Sequence, residues 1–198
     1  EQIVCGGSNL AVGQMVVVAR PGSKVRWHGE GEPVEIKASK LRGVASAGMI
    51  CASSEIGLAD LFPASDDHEI VDLAGIACEP GDPIAHVLGL DDEILEIDNK
   101  SLTNRPDLWG HYGIARELAA IYGREVRPLP AFTPDPALPA YPVRIENADL
   151  CRRYAAVAFS GLVNAPSPLW LQVALTKVGM RPINNVVDIT NFVRIETG

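Results

Sequence analysis

The sequence predicts an α+β chain assembled from modules: a partial OB-type β-barrel, a small α/β module, and the first part of a further α+β domain. Three observations carry this expectation. Residues 1–62 hold short apolar runs broken by glycine bends, the pattern of short curved strands. Six prolines (Pro128, Pro130, Pro134, Pro136, Pro139 and Pro142) crowd one stretch, which favours an extended, semi-rigid linker. Beyond it, Ser167 as N-cap and Pro168 at the first helical position open a segment with a helical apolar stripe that closes at Gly179. The expected boundaries are 1–90 for the barrel and an acidic connector, 91–127 for a strand–turn–helix module, 128–142 for the linker and 143–198 for the last domain.

In order along the chain, Ile3-Val4-Cys5 reads as a strand already under way, and the chain opens on Glu1. The expectation is a piece of a longer soluble protein, with the first barrel strands missing upstream and no signal peptide. Met15–Ala19 is an apolar run, Pro21-Gly22 a turn signal and Val34-Glu35-Ile36 a strand. Leu41–Ala52 mixes glycines and small residues with apolar ones, as barrel strands with bends do. Ile94–Ile97 reads as a strand and Asn104-Arg105-Pro106-Asp107 as a turn. A helix is expected from about Leu108 to Tyr122, with Asp107 as N-cap and Gly123 ending it. After the linker, Val143–Glu146 and Tyr154–Phe159 read as strands. Leu171, Ala174, Leu175 and Val178 then fall at i, i+3, i+4 and i+7 of a helix, with Lys177 at its negative end.

Composition narrows the class. A hydrophobic content of 47% suffices for a packed core, and no apolar run approaches the roughly 20 residues of a membrane span. Cys5, Cys51, Cys78 and Cys151 are scattered without a C-x-x-C pair and read as reduced cytosolic thiols. The net charge of −8 is uneven: residues 63–100 hold eleven acids against Lys100 alone, while residues 101–198 carry more bases than acids. Overall acidity therefore does not exclude an RNA partner, because local patches decide such binding. The acidic stretch reads as a solvated connector.

Four places could carry chemistry. Lys37, Lys40 and Arg42 stand at the entrance to the Gly43–Met49 bend, where an OB fold would track phosphates; an exposed cationic face is the alternative. Trp27 and Phe62 are the aromatics available there for stacking. Arg105 could meet a phosphate, or it could pair with Asp107 inside its own turn. The histidines (His28, His68, His86, His111) lack metal-ligand spacing, so no metal site is expected. Finally, Gly179–Val193 sets Asp188, Thr190 and Asn191 in an otherwise apolar run. Such groups are either satisfied internally or aimed at a ligand, because burial without partners costs roughly 1–3 kcal/mol each. Strand alternation would put Asp188 and Thr190 on one face and Asn191 on the other. No nucleophile–base pair, Walker loop or dinucleotide fingerprint is recognisable, and no catalytic residue is expected within the chain.

These segments, taken together, resemble the bacterial phenylalanine–tRNA ligase beta-subunit family. Ile3–Asn9 and Leu41–Cys51 are similar to its tRNA-binding, OB-type domain. Leu102–Asp107, with the helix through Ala115-Arg116-Glu117, looks like its next module. Ser167–Leu171 and Gly179–Val193 resemble the start of its editing domain. The resemblance implies a cytoplasmic heterotetramer of two alpha and two beta subunits, which attaches phenylalanine to its tRNA with ATP and Mg2+. The alpha subunit would carry synthesis; the beta subunit would contact tRNA and hydrolyse mischarged tyrosyl-tRNA. Thr190 and Asn191 match residues lining the editing pocket. An apolar pocket rejects tyrosine weakly, whereas a second site that hydrogen-bonds its hydroxyl can select it strongly. Further pocket residues, a histidine among them, are expected after residue 198, so the fragment alone is expected to be inactive and to bind neither ATP nor Mg2+. The rival readings are a tRNA-binding accessory protein and a freestanding aminoacyl-tRNA editing hydrolase.

Overall fold

Cross-strand hydrogen bonds in the first part of the chain fall into short antiparallel pairs, as glycine-punctuated apolar runs dictate. The computed structural model describes residues 1–133, 135, 137–139 and 141–198. Six strands are present: β1 (Val18–Ala19), β2 (Lys24–Val25), β3 (Val34–Glu35), β4 (Ser39–Leu41), β5 (Val44–Ser46) and β6 (Met49–Ile50). They pair as β1–β6, β2–β3 and β4–β5, so the described residues form three two-stranded ladders and no closed barrel. The expected mix of strands and helices is present; the OB closure is not. The β4–β5 hairpin turns through Arg42 and Gly43, both at positive φ (50° and 85°), the geometry of a two-residue primed turn. Gly48 carries φ 147°, and a Cβ there would lie 2.7 Å from the Ala19 carbonyl oxygen, so the β1–β6 pairing requires glycine at this point.

The chain divides into two units, residues 1–99 with 166–192, and residues 100–165 with 193–198. In the first unit the ladders close over Val17, Ala19, Val25, Ile36, Cys51, Val71 and Leu73. Backbone bonds from Val71 N–H to the Cys51 carbonyl (3.0 Å) and from Leu73 N–H to the Met15 carbonyl (3.0 Å) fasten the 70–73 segment beside the ladders. A second cluster joins Leu58, Leu61 and Leu88 to Val173. Leu88 follows the short helix α1 (Ile84–Val87), and Val173 belongs to α3 (Leu169–Lys177). The stripe expected for α3 is realised in part: Leu171 and Leu175 are each 1% exposed, Ala174 and Val178 are half-buried, and Val173, outside that stripe, is buried as well. Lys177 Nζ donates to Asp92 Oδ2 at 2.9 Å, so its charge serves an ion pair within this unit.

The second unit holds α2 (His111–Tyr122), terminated as expected by Gly123 at φ 61°. Its start differs from expectation. Pro106–Leu108 forms a 3-10 turn, Gly110 occupies the N-cap, and Asp107 does not cap the helix. Arg105 takes both Asp107 oxygens instead, through Nε (2.9 Å) and Nη2 (2.8 Å), and Nη2 also reaches Glu117 at 3.1 Å. These contacts hold the guanidinium's pKa above its ordinary value, while the hydrogen bond from Arg105 lowers that of Asp107. Gly113 is buried where α2 crosses this turn.

Several expected strands do not form. Ile3–Cys5, Ile94–Ile97, Val143–Glu146 and Tyr154–Phe159 are neither strand nor helix. Strand propensity measures fit to a pleated, half-buried surface, and side chains such as Leu95 (80% exposed) and Phe159 (69%) have no such surface against them. The module at 91–127 is accordingly turn and helix without its strand. Of the proline linker, Pro134 and Pro136 lie outside the described residues, and Pro128, Pro130, Pro139 and Pro142 lie outside any helix or strand. The strand reading of Gly179–Val193 is also overturned: this segment leads into a helix, α4 (Asn185–Thr197).

Candidate ligand-facing site on the C-terminal helix

The helix exists because its first turn is capped. Asn184 Oδ1 accepts the N–H groups of Val186 (3.1 Å) and Val187 (3.0 Å), the bonding of an N-cap residue. Two capped donors outweigh the β-branched character of Val186, Val187 and Ile189. Asp188, one turn on, is fully buried at 0% exposure. Its Oδ2 accepts the Ser167 hydroxyl at 2.5 Å and its Oδ1 accepts the Ile183 N–H at 2.9 Å. Ser167 does not cap α3 as expected: its hydroxyl is committed to Asp188, and Pro168 stands at that cap. Four residues after Asp188, Phe192 meets Trp170 of α3 edge to face, with centroids 5.6 Å apart.

These anchors decide where the two candidate residues, Thr190 and Asn191, stand. Successive residues on an α-helix are about 100° apart. With Asp188 inward, Asn191 lies about 60° from it and Thr190 about 160° away. The observed burial follows: Asn191 is half-buried and Thr190 exposed. The Thr190 hydroxyl donates to the Val187 carbonyl at 2.6 Å, which leaves its lone pairs to accept from a ligand. Thr190 and Asn191 thus flank a strip of helix that includes Val187, a wall with a hydroxyl on one side, an amide on the other and an apolar side chain between. Asp188 stands apart from both as an internal anchor. A cavity of about 610 Å³ elsewhere in the first unit is lined by residues including His28, Glu30, Asp66 and Glu69, and contains neither site residue.

The cations expected at the barrel entrance lie on or beside the β4–β5 hairpin. Lys40 is in β4, Arg42 at the turn and Lys37 just before the strand, all exposed. None of the three forms an ion pair among the described residues. Trp27 is half exposed and meets His28 edge to face, whereas Phe62 packs against the core and is not available for stacking. Arg105 is engaged by Asp107 and Glu117, as the internal-pairing alternative had it. All four cysteines are free thiols, and burial pushes the Cys51 thiol up to about 11. No helix among the described residues is long and apolar enough to cross a membrane. Sequence reasoning missed Asn184 and the pairing of Ser167 with Asp188. A readable signal for the first existed, since an Asn directly before an amphipathic stretch is a common N-cap.

The chain is similar in sequence to known proteins. Residues 150–198, which include α3 and α4, match the B3/4 domain family. The chain is 41% identical over 199 residues to the phenylalanine–tRNA ligase beta subunit of Solibacter usitatus, covering 99% of this chain and 22% of that protein. It is 42% identical over 202 residues to the corresponding subunit of Moorella thermoacetica, covering 100% of this chain and 24% of that protein. The subunit of Anaeromyxobacter dehalogenans is 41% identical over 200 residues, covering 100% of this chain and 23% of that protein. These matches define the class as a part of an aminoacyl-tRNA synthetase subunit that carries B3/4 sequence. More particularly, the chain belongs to the family of phenylalanine–tRNA ligase beta subunits. It spans less than a quarter of the length of these relatives.

Proposed function

We propose that this chain is the segment of a phenylalanine–tRNA ligase beta subunit that contributes tRNA contacts and one wall of an editing pocket. The whole enzyme would join phenylalanine to its tRNA at the expense of ATP and remove mischarged tyrosine by hydrolysis, in the cytoplasm. The observation that carries the reading is similarity along the whole chain to beta subunits, at 41% identity, with no long insertion needed between the barrel-like part and α4. In this reading residues 1–90 are the tRNA-binding part, with Lys37, Lys40 and Arg42 facing phosphate. Residues 143–198 open the editing domain, and Thr190 and Asn191 face the substrate's side chain. The partners are an alpha subunit, two of each forming the enzyme, and the phenylalanine tRNA.

Among the described residues, no group of three or more His, Cys, Asp or Glu is placed to hold a metal ion. ATP and Mg2+ belong, in this proposal, to the alpha subunit, and no step in this chain depends on them. What its residues supply is selection. A pocket wall bearing a hydroxyl and an amide favours tyrosine, because phenylalanine would leave those groups desolvated and unpaired.

The test is Thr190→Val in the assembled alpha–beta enzyme, which removes the hydroxyl and preserves shape. Deacylation of tyrosyl-tRNA is expected to fall about 10- to 100-fold, the effect of one lost hydrogen bond to substrate. Phenylalanine charging is expected to stay within about twofold. Equal loss of both activities would sink the editing role.

A further inference from the structure

Asp188 belongs to neither the proposed pocket wall nor the apolar core, yet it is one of the most completely buried side chains described. A carboxylate is removed from water at a cost of several kcal/mol unless its oxygens are satisfied. Each oxygen here has one donor from a different direction: the Ser167 hydroxyl before α3, and the Ile183 backbone ahead of α4. Ser167 is itself buried, and its carbonyl accepts Gln172 Nε2 at 2.6 Å, so the anchor point is fixed to α3. The two bonds tie the first turn of α4 both to the neighbouring helix and to the loop that delivers it. A helix pinned through one buried side chain cannot rotate about its axis without breaking both bonds.

We propose that Asp188 is a positioning residue for the editing pocket: through Ser167 and Ile183 it fixes the rotation of α4 and thereby the direction in which Thr190 and Asn191 face. This rests on the editing reading above. The arithmetic of the helix makes the coupling tight, because a 30° rotation at the roughly 5 Å radius of a side chain displaces its polar end by about 2.5 Å. That is most of a hydrogen-bond length, so a small release at Asp188 would be felt at the Thr190 hydroxyl. The cost would fall on tyrosine discrimination more than on reaction with any aminoacyl ester.

The experiment uses the assembled alpha–beta enzyme with four variants: Asp188→Ala, Asp188→Asn, Ser167→Ala and, as the reference arm, Thr190→Val. Hydrolysis of tyrosyl-tRNA and phenylalanyl-tRNA is measured for each, beside phenylalanine charging and thermal melting. Asp188→Ala removes both bonds and is expected to reduce the tyrosyl-to-phenylalanyl hydrolysis ratio at least tenfold. Ser167→Ala removes one bond and is expected to reduce it less, roughly threefold, which keeps the test alive if Asp188→Ala does not fold. Asp188→Asn still accepts the Ile183 N–H and can donate to Ser167, so it should recover most of the ratio. If Thr190→Val alters the ratio while Asp188→Ala and Ser167→Ala leave it unchanged, the positioning role is wrong. It is equally wrong if Asp188→Ala and Ser167→Ala lower every rate in proportion, which is the mark of a purely structural residue. If Thr190→Val has no effect on the ratio, the editing reading itself fails, and the positioning role fails with it.

Discussion

Replacing Gly113 with alanine tests how α2 meets the turn before it, because two opposing effects predict opposite signs. At an open helix position, alanine stabilises relative to glycine by roughly 0.8–1 kcal/mol. At Gly113, a Cβ would overlap the Asp107 carbonyl oxygen, lie 2.6 Å from the carbonyl carbon and stand 3.3 Å from Leu108 Cα. These are backbone atoms, which cannot swing aside as a side chain would. Relief requires the 3-10 turn Pro106–Leu108 to move away from α2, and with it the Arg105 fork that spans Asp107 and Glu117. Overpacking costs up to about 3 kcal/mol, so after the helix-propensity gain the net destabilisation is about 2 kcal/mol. That corresponds to roughly thirtyfold in the local opening equilibrium. Hydrogen exchange followed by mass spectrometry on peptides spanning 106–122 reads this directly. Wild type and Gly113→Ala are compared under conditions where exchange reports the equilibrium. Roughly thirtyfold faster exchange is expected in α2. Equal or slower exchange would mean that the helix does not press on the turn, and the packing described for this unit would have to be abandoned.

Two further outcomes are expected. Asn184→Ala removes the acceptor for Val186 and Val187 and should cost about 1 kcal/mol in urea denaturation, whereas Asn184→Asp should be neutral or better, since a negative group suits a helix N-terminus; an Ala variant of unchanged stability would refute the cap. His86 Nδ1 lies 3.0 Å from Asp91 Oδ2, a hydrogen bond that raises the histidine above its ordinary 6.5 and lowers the aspartate below 3.8. The histidine's contribution to folding is present below pH 6.5 and is lost as pH rises through its raised folded value; the aspartate's is present above pH 3.8 and is lost as pH falls through its depressed one. An NMR titration should therefore place the His86 midpoint above 6.5, and Asp91→Asn should bring it down; an unmoved midpoint would show that the pair does not form in solution.

What could be read in the sequence and what could not divides along physical lines. Leu171 and Leu175 of α3 were legible because leucines at helical spacing carry their own signal for burial, whereas Val173, off that stripe, is buried by the cluster it completes. The end of α2 at Gly123 was legible because a left-handed residue favours glycine. The helix α4 was not. Its most deeply buried position is an aspartate, which a reader of hydrophobic periodicity counts as surface, and its β-branched neighbours imitate a strand. The donors that make Asp188 acceptable inside include the hydroxyl of Ser167, twenty-one residues earlier, a pairing invisible to any local window. The strands expected at Ile94–Ile97, Val143–Glu146 and Tyr154–Phe159 failed for the complementary reason: apolar composition was present, but a strand also needs a neighbour. At the candidate site, residue types could be read off the chain. The helix that sets their directions could not.

The discontinuity of the first unit has a consequence for how this chain comes into being. Val173 completes the cluster of Leu58, Leu61 and Leu88, and Lys177 and Arg181 pair with Asp92 and Asp60. None of these contacts can form on a ribosome that has read no further than residue 99. At roughly 5–20 residues per second, synthesis of residues 100–165 takes on the order of 3 to 13 s. During that interval Leu58, Leu61 and Leu88 lack their α3 partner, and the nascent chain depends on the core around Val17, Val25 and Val71. A nick between the two contributing segments, made after folding, would leave their interlocked halves associated without a covalent link.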